Sequence, residues 1–153
     1  MNKFMNKAVQ LSLDNLERGG GPFGAVIVKD NKIIAEGYNT VTICNDPSAH
    51  AEVNAIRKAC KELNTFDLTG CDLYTSCEPC PMCYSLSAWS HIDNIYYANT
   101  KEDATNINFD DNFIYEELKK PYNERKINFI KMDNTEAIKV FQKWFKMENK
   151  TKY

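Results

Sequence analysis

The sequence predicts an α/β fold in three layers, with one central sheet flanked by helices. The first observation is the order of the predicted elements, which runs helix, two strands, helix, strand, helix and strand. The second is a length of 153 residues, with 43% hydrophobic and 26% charged residues, as in an ordinary globular chain. We therefore expect residues 1–153 to form a single domain.

Each element is predicted from the spacing of its apolar residues. Recurrence at three and four residues predicts helices, and short apolar or alternating runs predict strands. Gly19-Gly20-Gly21-Pro22 ends the first helix, and Asp30-Asn31 forms a hairpin turn. The predicted helices span residues 2–18, 48 or 49 to about 63, 82–89 and 136–147. The predicted strands span residues 23–29, 32–39, 72–75, 94–98 and 127–132, with a loop over 40–47 and a loop with one short helix over 100–120.

Composition argues against several classes of protein. The formal net charge of -2 gives no general attraction to nucleic acid, so no nucleic-acid partner is expected. The N-terminal residues have no long apolar run, which predicts neither a signal peptide nor a membrane span. The six cysteines are accordingly interpreted as reduced thiols of a cytoplasmic protein.

Two cysteines form the first half of a predicted metal site. Cys80 and Cys83 are three residues apart, and a helix that begins near Pro81 would put both sulfurs on one face of its first turn. The free backbone N–H groups there favour negative charge and so favour thiolates. Two thiolates held in this way are half of a zinc site.

The other half is predicted in His50-Ala51-Glu52. His-x-Glu followed by Pro-Cys-x-x-Cys is the signature of zinc deaminases, and the chain has only two histidines. Three protein ligands, His50, Cys80 and Cys83, leave a fourth position for water, as a catalytic zinc requires. We therefore predict one Zn²⁺ per chain with a bound water or hydroxide.

Glu52 is the predicted catalytic acid and base. It would take a proton from the water and deliver it to a ring nitrogen and to the leaving amine. On a regular helix, however, His50 and Glu52 would lie about 200° apart around the axis. They can converge only if both residues lie in the first turn and project past the end of the helix.

Simpler interpretations remain open at this point. Cys-x-x-Cys alone also fits a redox pair, and Cys77, Cys80 and Cys83 could hold a structural zinc together with a histidine. A glutamate on a helix is most often only solvated. A closed structural site would not need Glu52, so the combination of both motifs favours catalysis.

Four stretches of the chain resemble the cytidine-deaminase-like zinc deaminases. They are GGPFGAVI at 20–27, NDPSAHAE at 45–52, YTSCEPCPMC at 74–83 and FDDNFIY at 109–115. The last stretch and the terminal tyrosine are similar to those of the bacterial guanine deaminases. The resemblance implies a three-layer α/β/α fold with a central mixed sheet, here of five strands.

The resemblance also implies a substrate, a set of contacts and an assembly. The substrate would be guanine, a small purine base, deaminated at C2 to xanthine and ammonia. The implied substrate-binding residues are Phe23, Asn39, Ala51, Trp89, Asp111 and Tyr153. Such enzymes are homodimers in which the C-terminal segment, here about residues 120–153, swaps between copies and Tyr153 closes the partner's site.

Two alternatives to this function are kept. One is deamination of a tRNA adenosine or of a guanine nucleoside, which would need a basic surface or room for a ribose. The other is a zinc-stabilised interaction module without catalysis, in which Glu52→Gln would change nothing.

Overall fold

The computed structural model of the protein describes residues 2–153, and these fall into two compact units. The first unit ends at Phe113, and the second comprises Ile114–Tyr153. In the described part of the chain no helix is long and apolar enough to cross a membrane.

Seven helices and four strands are found in the described residues. The helices are α1 (Lys3–Glu17), α2 (Val41–Cys44), α3 (Ala51–Glu62), α4 (Pro81–Trp89), α5 (Lys101–Asn106), α6 (Asn112–Lys119) and α7 (Thr135–Lys146). The strands are β1 (Gly24–Lys29), β2 (Lys32–Tyr38), β3 (Cys71–Cys77) and β4 (Asn94–Asn99). A short 3₁₀ turn covers Tyr122–Glu124.

The sheet is mixed, as predicted, and its strands lie in the order β2-β1-β3-β4. β1 is antiparallel to β2 and to β3, whereas β3 is parallel to β4. Asp30 and Asn31 both have positive φ, which confirms the predicted hairpin turn because these residue types tolerate that region. Helix α4 makes the crossover that the parallel pair β3–β4 needs.

Helices cover both faces of the sheet, which confirms the three layers. Alternate residues of a strand point to opposite faces. Ala25 and Ile27 of β1 pack in one core cluster with buried residues of α3. Val26 and Val28 pack in a second cluster with residues of α1.

Helix α3 approaches the sheet very closely at Gly37. A Cβ built on Gly37 would lie 2.2 Å from the carbonyl oxygen of Ala51, the first residue of α3. Only glycine allows this approach. The residues at the start of α3 are therefore fixed against β2.

The prediction of five strands is wrong. Residues 127–132 have no strand pairing, and the part of the sheet that the structure describes has four strands. Alternating apolar residues define a strand only when a neighbouring strand pairs with them, and the second unit contains no strand at all. The region predicted as a loop with one short helix contains two helices, α5 and α6, because Thr100 and Asp103 form a capping box for α5.

Candidate active site

The two predicted motifs open two helices. His50 is the N-cap of α3 and Cys80 is the N-cap of α4, and both have extended backbone. Pro81 occupies the first turn of α4, as predicted. Helix α3 begins at Ala51 rather than at Ser48 or Ala49, since the backbone N–H of His50 donates to the carbonyl oxygen of Ser48 in a turn.

The later start of α3 solves the geometric problem posed by His50 and Glu52. His50 lies outside the helical residues, so its side chain is not bound by the helical period. Glu52 lies in the first turn of α3. Both can therefore face the start of α4.

The side chains of His50, Cys80 and Cys83 form one compact cluster. Nδ1 of His50 lies 3.7 Å from Sγ of Cys80 and 3.5 Å from Sγ of Cys83, and all three ligand atoms lie within 4.8 Å of one another. A tetrahedral zinc with ordinary Zn–N and Zn–S bonds separates its ligand atoms by roughly 3.5–3.8 Å. The donor types and the two N–S separations therefore match a tetrahedral zinc site.

Cys77 does not belong to this cluster. Its Sγ lies 3.6 Å from the carbonyl oxygen of Thr100, and the metal-competent group in the described chain contains only His50, Cys80 and Cys83. Burial raises the pKa of Cys77 to about 11, so it stays a thiol. A three-cysteine structural site is thereby disfavoured.

The cluster is electrostatically prepared to bind a cation. A hydrogen bond with Cys83, together with one to His50, lowers the pKa of Cys80 to about 4 despite partial burial. The same interaction and burial raise the pKa of Cys83, and the hydrogen bond to Cys80 raises the pKa of His50. Cys80 is thus a thiolate at neutral pH, and metal binding would deprotonate Cys83 as well.

Glu52 lies beside the cluster and is only 5% exposed. The hydroxyl of Thr75 donates to its Oε1 at 3.0 Å, and Sγ of Cys83 lies 3.4 Å from its Oε2. Burial raises the pKa of Glu52, and the hydrogen bond from Thr75 opposes that rise. A buried carboxylate with a raised pKa beside a metal-ligand cluster has the properties of a catalytic acid and base.

Thr75 was not predicted as a site residue. It is 1% exposed and lies in β3 opposite Ala25. The only signal in the sequence is a pair of polar residues, Thr75 and Ser76, in the buried stretch of β3 that follows Asp72. Only the fold reveals that Thr75 faces Glu52.

Phe23 and Asn39 are neighbours. A Cβ on Gly21 would lie 3.4 Å from both Cγ of Asn39 and the ring of Phe23. Oδ1 of Asn39 accepts from the backbone N–H of Val41, so its amide N–H₂ group has no protein partner in the described chain. The ring of Phe23 packs edge-on against Phe109, with centroids 5.0 Å apart.

The other residues predicted to bind the substrate lie at different distances from the surface and in different parts of the chain. Ala51 is fully buried at the start of α3. Asp111 is half-buried, and burial followed by the charge of Cys80 raises its pKa, so its carboxylate is electrostatically coupled to the cluster. Trp89 is exposed at the C-terminal end of α4, opposite to the end that carries Cys80. Tyr153 belongs to the second unit.

The fold is a mixed sheet with helices on both faces. Its site is a His-Cys-Cys cluster with a buried glutamate, and it lies between two helix N-termini. This combination is characteristic of the zinc-dependent deaminases. Residues 1–99 match the family described as the cytidine and deoxycytidylate deaminase zinc-binding region. The chain belongs to this family.

Relatives extend the likeness beyond the family region. The guanine deaminase of Bacillus subtilis is 52% identical over 98% of this chain and 97% of its own length. Its crystal structure matches with a TM-score of 0.96, covering 100% of this chain and 99% of that one. A tRNA-specific adenosine deaminase of Aquifex aeolicus is 41% identical over 62% of this chain and 63% of its own length. A structure solved in complex with 8-azaguanine matches with a TM-score of 0.68 at 35% identity, covering 71% of this chain and 63% of that one.

Proposed function

We propose that the protein is a zinc-dependent aminohydrolase that converts guanine and water to xanthine and ammonia. The observation that carries the proposal is the cluster of His50, Cys80 and Cys83 beside a buried Glu52, in a chain similar along its whole length to a guanine deaminase. The end product is a small, diffusible base, as expected of purine salvage or nitrogen release.

One zinc ion per chain would be held by Nδ1 of His50 and the thiolates of Cys80 and Cys83. When bound, zinc supplies a water activated for attack at neutral pH. The two thiolates and the neutral imidazole balance the charge of the ion.

Glu52 moves the protons. Its ionised carboxylate takes one proton from the attacking water and passes it to the ring nitrogen next to C2. It then takes the remaining proton from the hydroxyl group now on C2 and delivers it to the amino group, so that the bond between C2 and the amino nitrogen breaks, the C2 carbonyl forms and ammonia leaves. The hydrogen bond from Thr75 to Oε1 leaves Oε2, the oxygen nearer to Cys83, to carry the proton.

The base would be held by groups with complementary polarity. The free amide N–H₂ of Asn39 donates to an acceptor of the purine, and Phe23 packs on its ring. Asp111 accepts from the amino and ring N–H groups of guanine. Contacts from Ala51 and Trp89 are implied by the resemblance alone, since Ala51 is fully buried and Trp89 lies at the end of α4 opposite Cys80.

The partner of this chain is proposed to be a second copy. Residues 1–113 hold nine Lys and Arg against fifteen Asp and Glu, a formal charge of -6, whereas residues 114–153 hold ten against six, a charge of +4. The second unit also exposes large apolar side chains, among them Phe141 (73%) and Phe145 (80%). Opposite charge and uncovered apolar surface support a swapped homodimer in which Tyr153 closes the partner's site.

The free thiols of all six cysteines support a cytoplasmic location for this reaction.

The function is tested by ammonia release from the zinc-loaded protein. Guanine, guanosine, adenine, cytosine and a tRNA anticodon stem-loop are offered side by side. Release from guanine alone is expected. Ammonia release from another member of the panel would be consistent with the zinc chemistry but would contradict the assigned contacts to the base. Ammonia release from none of them would contradict the proposed function.

Adenosine deamination in tRNA is the second candidate, because the tRNA-specific adenosine deaminase of Aquifex aeolicus is 41% identical over 62% of this chain. The charge of -6 on residues 1–113 opposes binding of a phosphate backbone. The stem-loop in the panel decides between the two.

A further inference from the structure

The backbone around Asn39 is held by an unusual contact from α1. Asn15 is fully buried, and its Nδ2 donates to two backbone oxygens, those of Gly21 and Asn39, each at 2.8 Å. The oxygen of Gly21 also accepts from the N–H of Phe23 at 2.8 Å. One side-chain amide thus joins the two segments that carry Phe23 and Asn39.

A second asparagine holds the same segment from the opposite face of the sheet. Asn54 of α3 donates from Nδ2 to the oxygen of Tyr38 at 2.8 Å and to Oγ1 of Thr40 at 3.0 Å. These residues directly precede and follow Asn39. The three residues 38–40 are therefore fixed by one amide from each helical layer.

The contact from Asn15 is maintained at a cost to the fold. Oδ1 of Asn15 is buried and has no hydrogen-bond partner in the described chain. A Cβ on Gly20 would lie 2.3 Å from Nδ2 of Asn15 and 2.6 Å from the oxygen of Asn39, so the arrangement also requires glycine there. An unsatisfied buried acceptor weakens stability, which argues that this asparagine serves something other than stability.

The hydrogen bonds to residues 38–40 fix the position of the Asn39 side chain. With its backbone held on both sides, its Oδ1 accepts from the N–H of Val41 at 3.2 Å, and its N–H₂ is left free beside Phe23. A donor fixed in advance binds a ligand without losing conformational freedom.

We propose that Asn15 and Asn54 are positioning residues for recognition of the base, acting through the backbone of Asn39. The inference rests on the proposed function, because Asn39 is the donor to the base there. Neither asparagine touches the substrate. Their loss weakens base binding and leaves the chemical step and the metal cluster intact.

The test compares Asn15→Ala and Asn54→Ala with the wild-type enzyme in kcat, KM for guanine, zinc content and melting temperature. Each change is expected to raise KM about tenfold, to lower kcat less than about threefold and to leave zinc at the wild-type ratio. Asn94→Ala is the matched control, because its amide donates to Asp72 at the sheet edge and it should leave KM unchanged. Asn54 is only half-buried, so Asn54→Ala still tests the inference if Asn15→Ala does not fold.

A double-mutant cycle separates positioning from a general structural role. In the Asn39→Ala background, Asn54→Ala should change KM less than about twofold, since the donor that it orients is already gone. A full effect in that background, or an unchanged KM in both single variants, would overturn the inference. If the wild-type protein does not turn over guanine, both the proposed function and this inference are wrong. If the wild type is active and the variants have an unchanged KM, only this inference is wrong.

Discussion

The two units of the chain are held together by very different means. In the first, Ile27, Ile56 and Leu73 are almost completely buried between the sheet and its helices. Among residues 114–153, all of which the structure describes, none is buried, and large apolar side chains of α7 are exposed. The first unit can therefore fix a chemical site to a fraction of an ångström, whereas the second needs further surface to cover it.

The two units therefore contribute different parts of the proposed reaction. The proposed metal ligands, Glu52 and Thr75 all lie in the first unit, which has a complete core. Tyr153 lies in the unit without one. Changes to Glu52 or Thr75 should affect the chemical step, and changes in the second unit should affect closure of the site.

The largest effect is expected for Glu52→Gln. Loss of the proton carrier should lower kcat about 10³-fold or more, because general acid–base catalysis typically contributes 10²–10⁴-fold. Folding and zinc content should stay at wild-type values, measured by circular dichroism and metal analysis. Retention of activity would show that another group carries the proton transfers.

The second unit is tested by removing Tyr153 alone. Guanine turnover should fall in kcat/KM by about 10–100-fold, because an incompletely closed site admits water and holds the base less tightly. Zinc content should not change. Mixing this variant with Glu52→Gln protein should restore part of the activity if the tyrosine acts on the partner's site, and unchanged turnover in the truncated protein would remove Tyr153 from the site.

A smaller effect is expected within the first unit for Thr75→Val. The change keeps the shape of the side chain and removes the hydroxyl that donates to Oε1 of Glu52, so kcat should fall about tenfold with little change in KM. Thr75→Ser keeps the hydroxyl and should recover most of the activity. Equal losses in both variants would show that packing in β3, and not the hydrogen bond, is at issue.

The smallest effect concerns stability. Burial raises the pKa of Glu52, so the folded, metal-free protein binds this proton more tightly than the unfolded chain does. Stability is then lost as pH rises above the ordinary glutamate pKa of 4.5. Metal-free Glu52→Gln should melt a few degrees above metal-free wild type at pH 7, with a smaller gap near pH 4.5, as followed by calorimetry. A gap that does not grow with pH would contradict this account.

Local patterns were enough to predict much of the fold. The hairpin turn at Asp30-Asn31, the helix opened by Pro81 and the three layers follow from turn chemistry and periodicity, and all are found. The prediction of a fifth strand is wrong because residues 127–132 alternate like a strand but have no neighbouring strand to pair with. The start of α3 was misplaced because capping geometry, not periodicity, determines where a helix begins.

Local sequence patterns specify the kinds of groups available: two thiols one helical turn apart, and one histidine and one glutamate in a recognisable spacing. Those facts are local, since backbone geometry within a turn of helix follows from neighbouring residues. Tertiary packing, by contrast, keeps Cys77 outside the cluster and brings Thr75 to Glu52. It also lets Asn15 and Asn54 hold Asn39 from opposite faces of the sheet. These contacts join residues far apart in the chain, and their formation depends on how helices and strands pack, which no local pattern encodes.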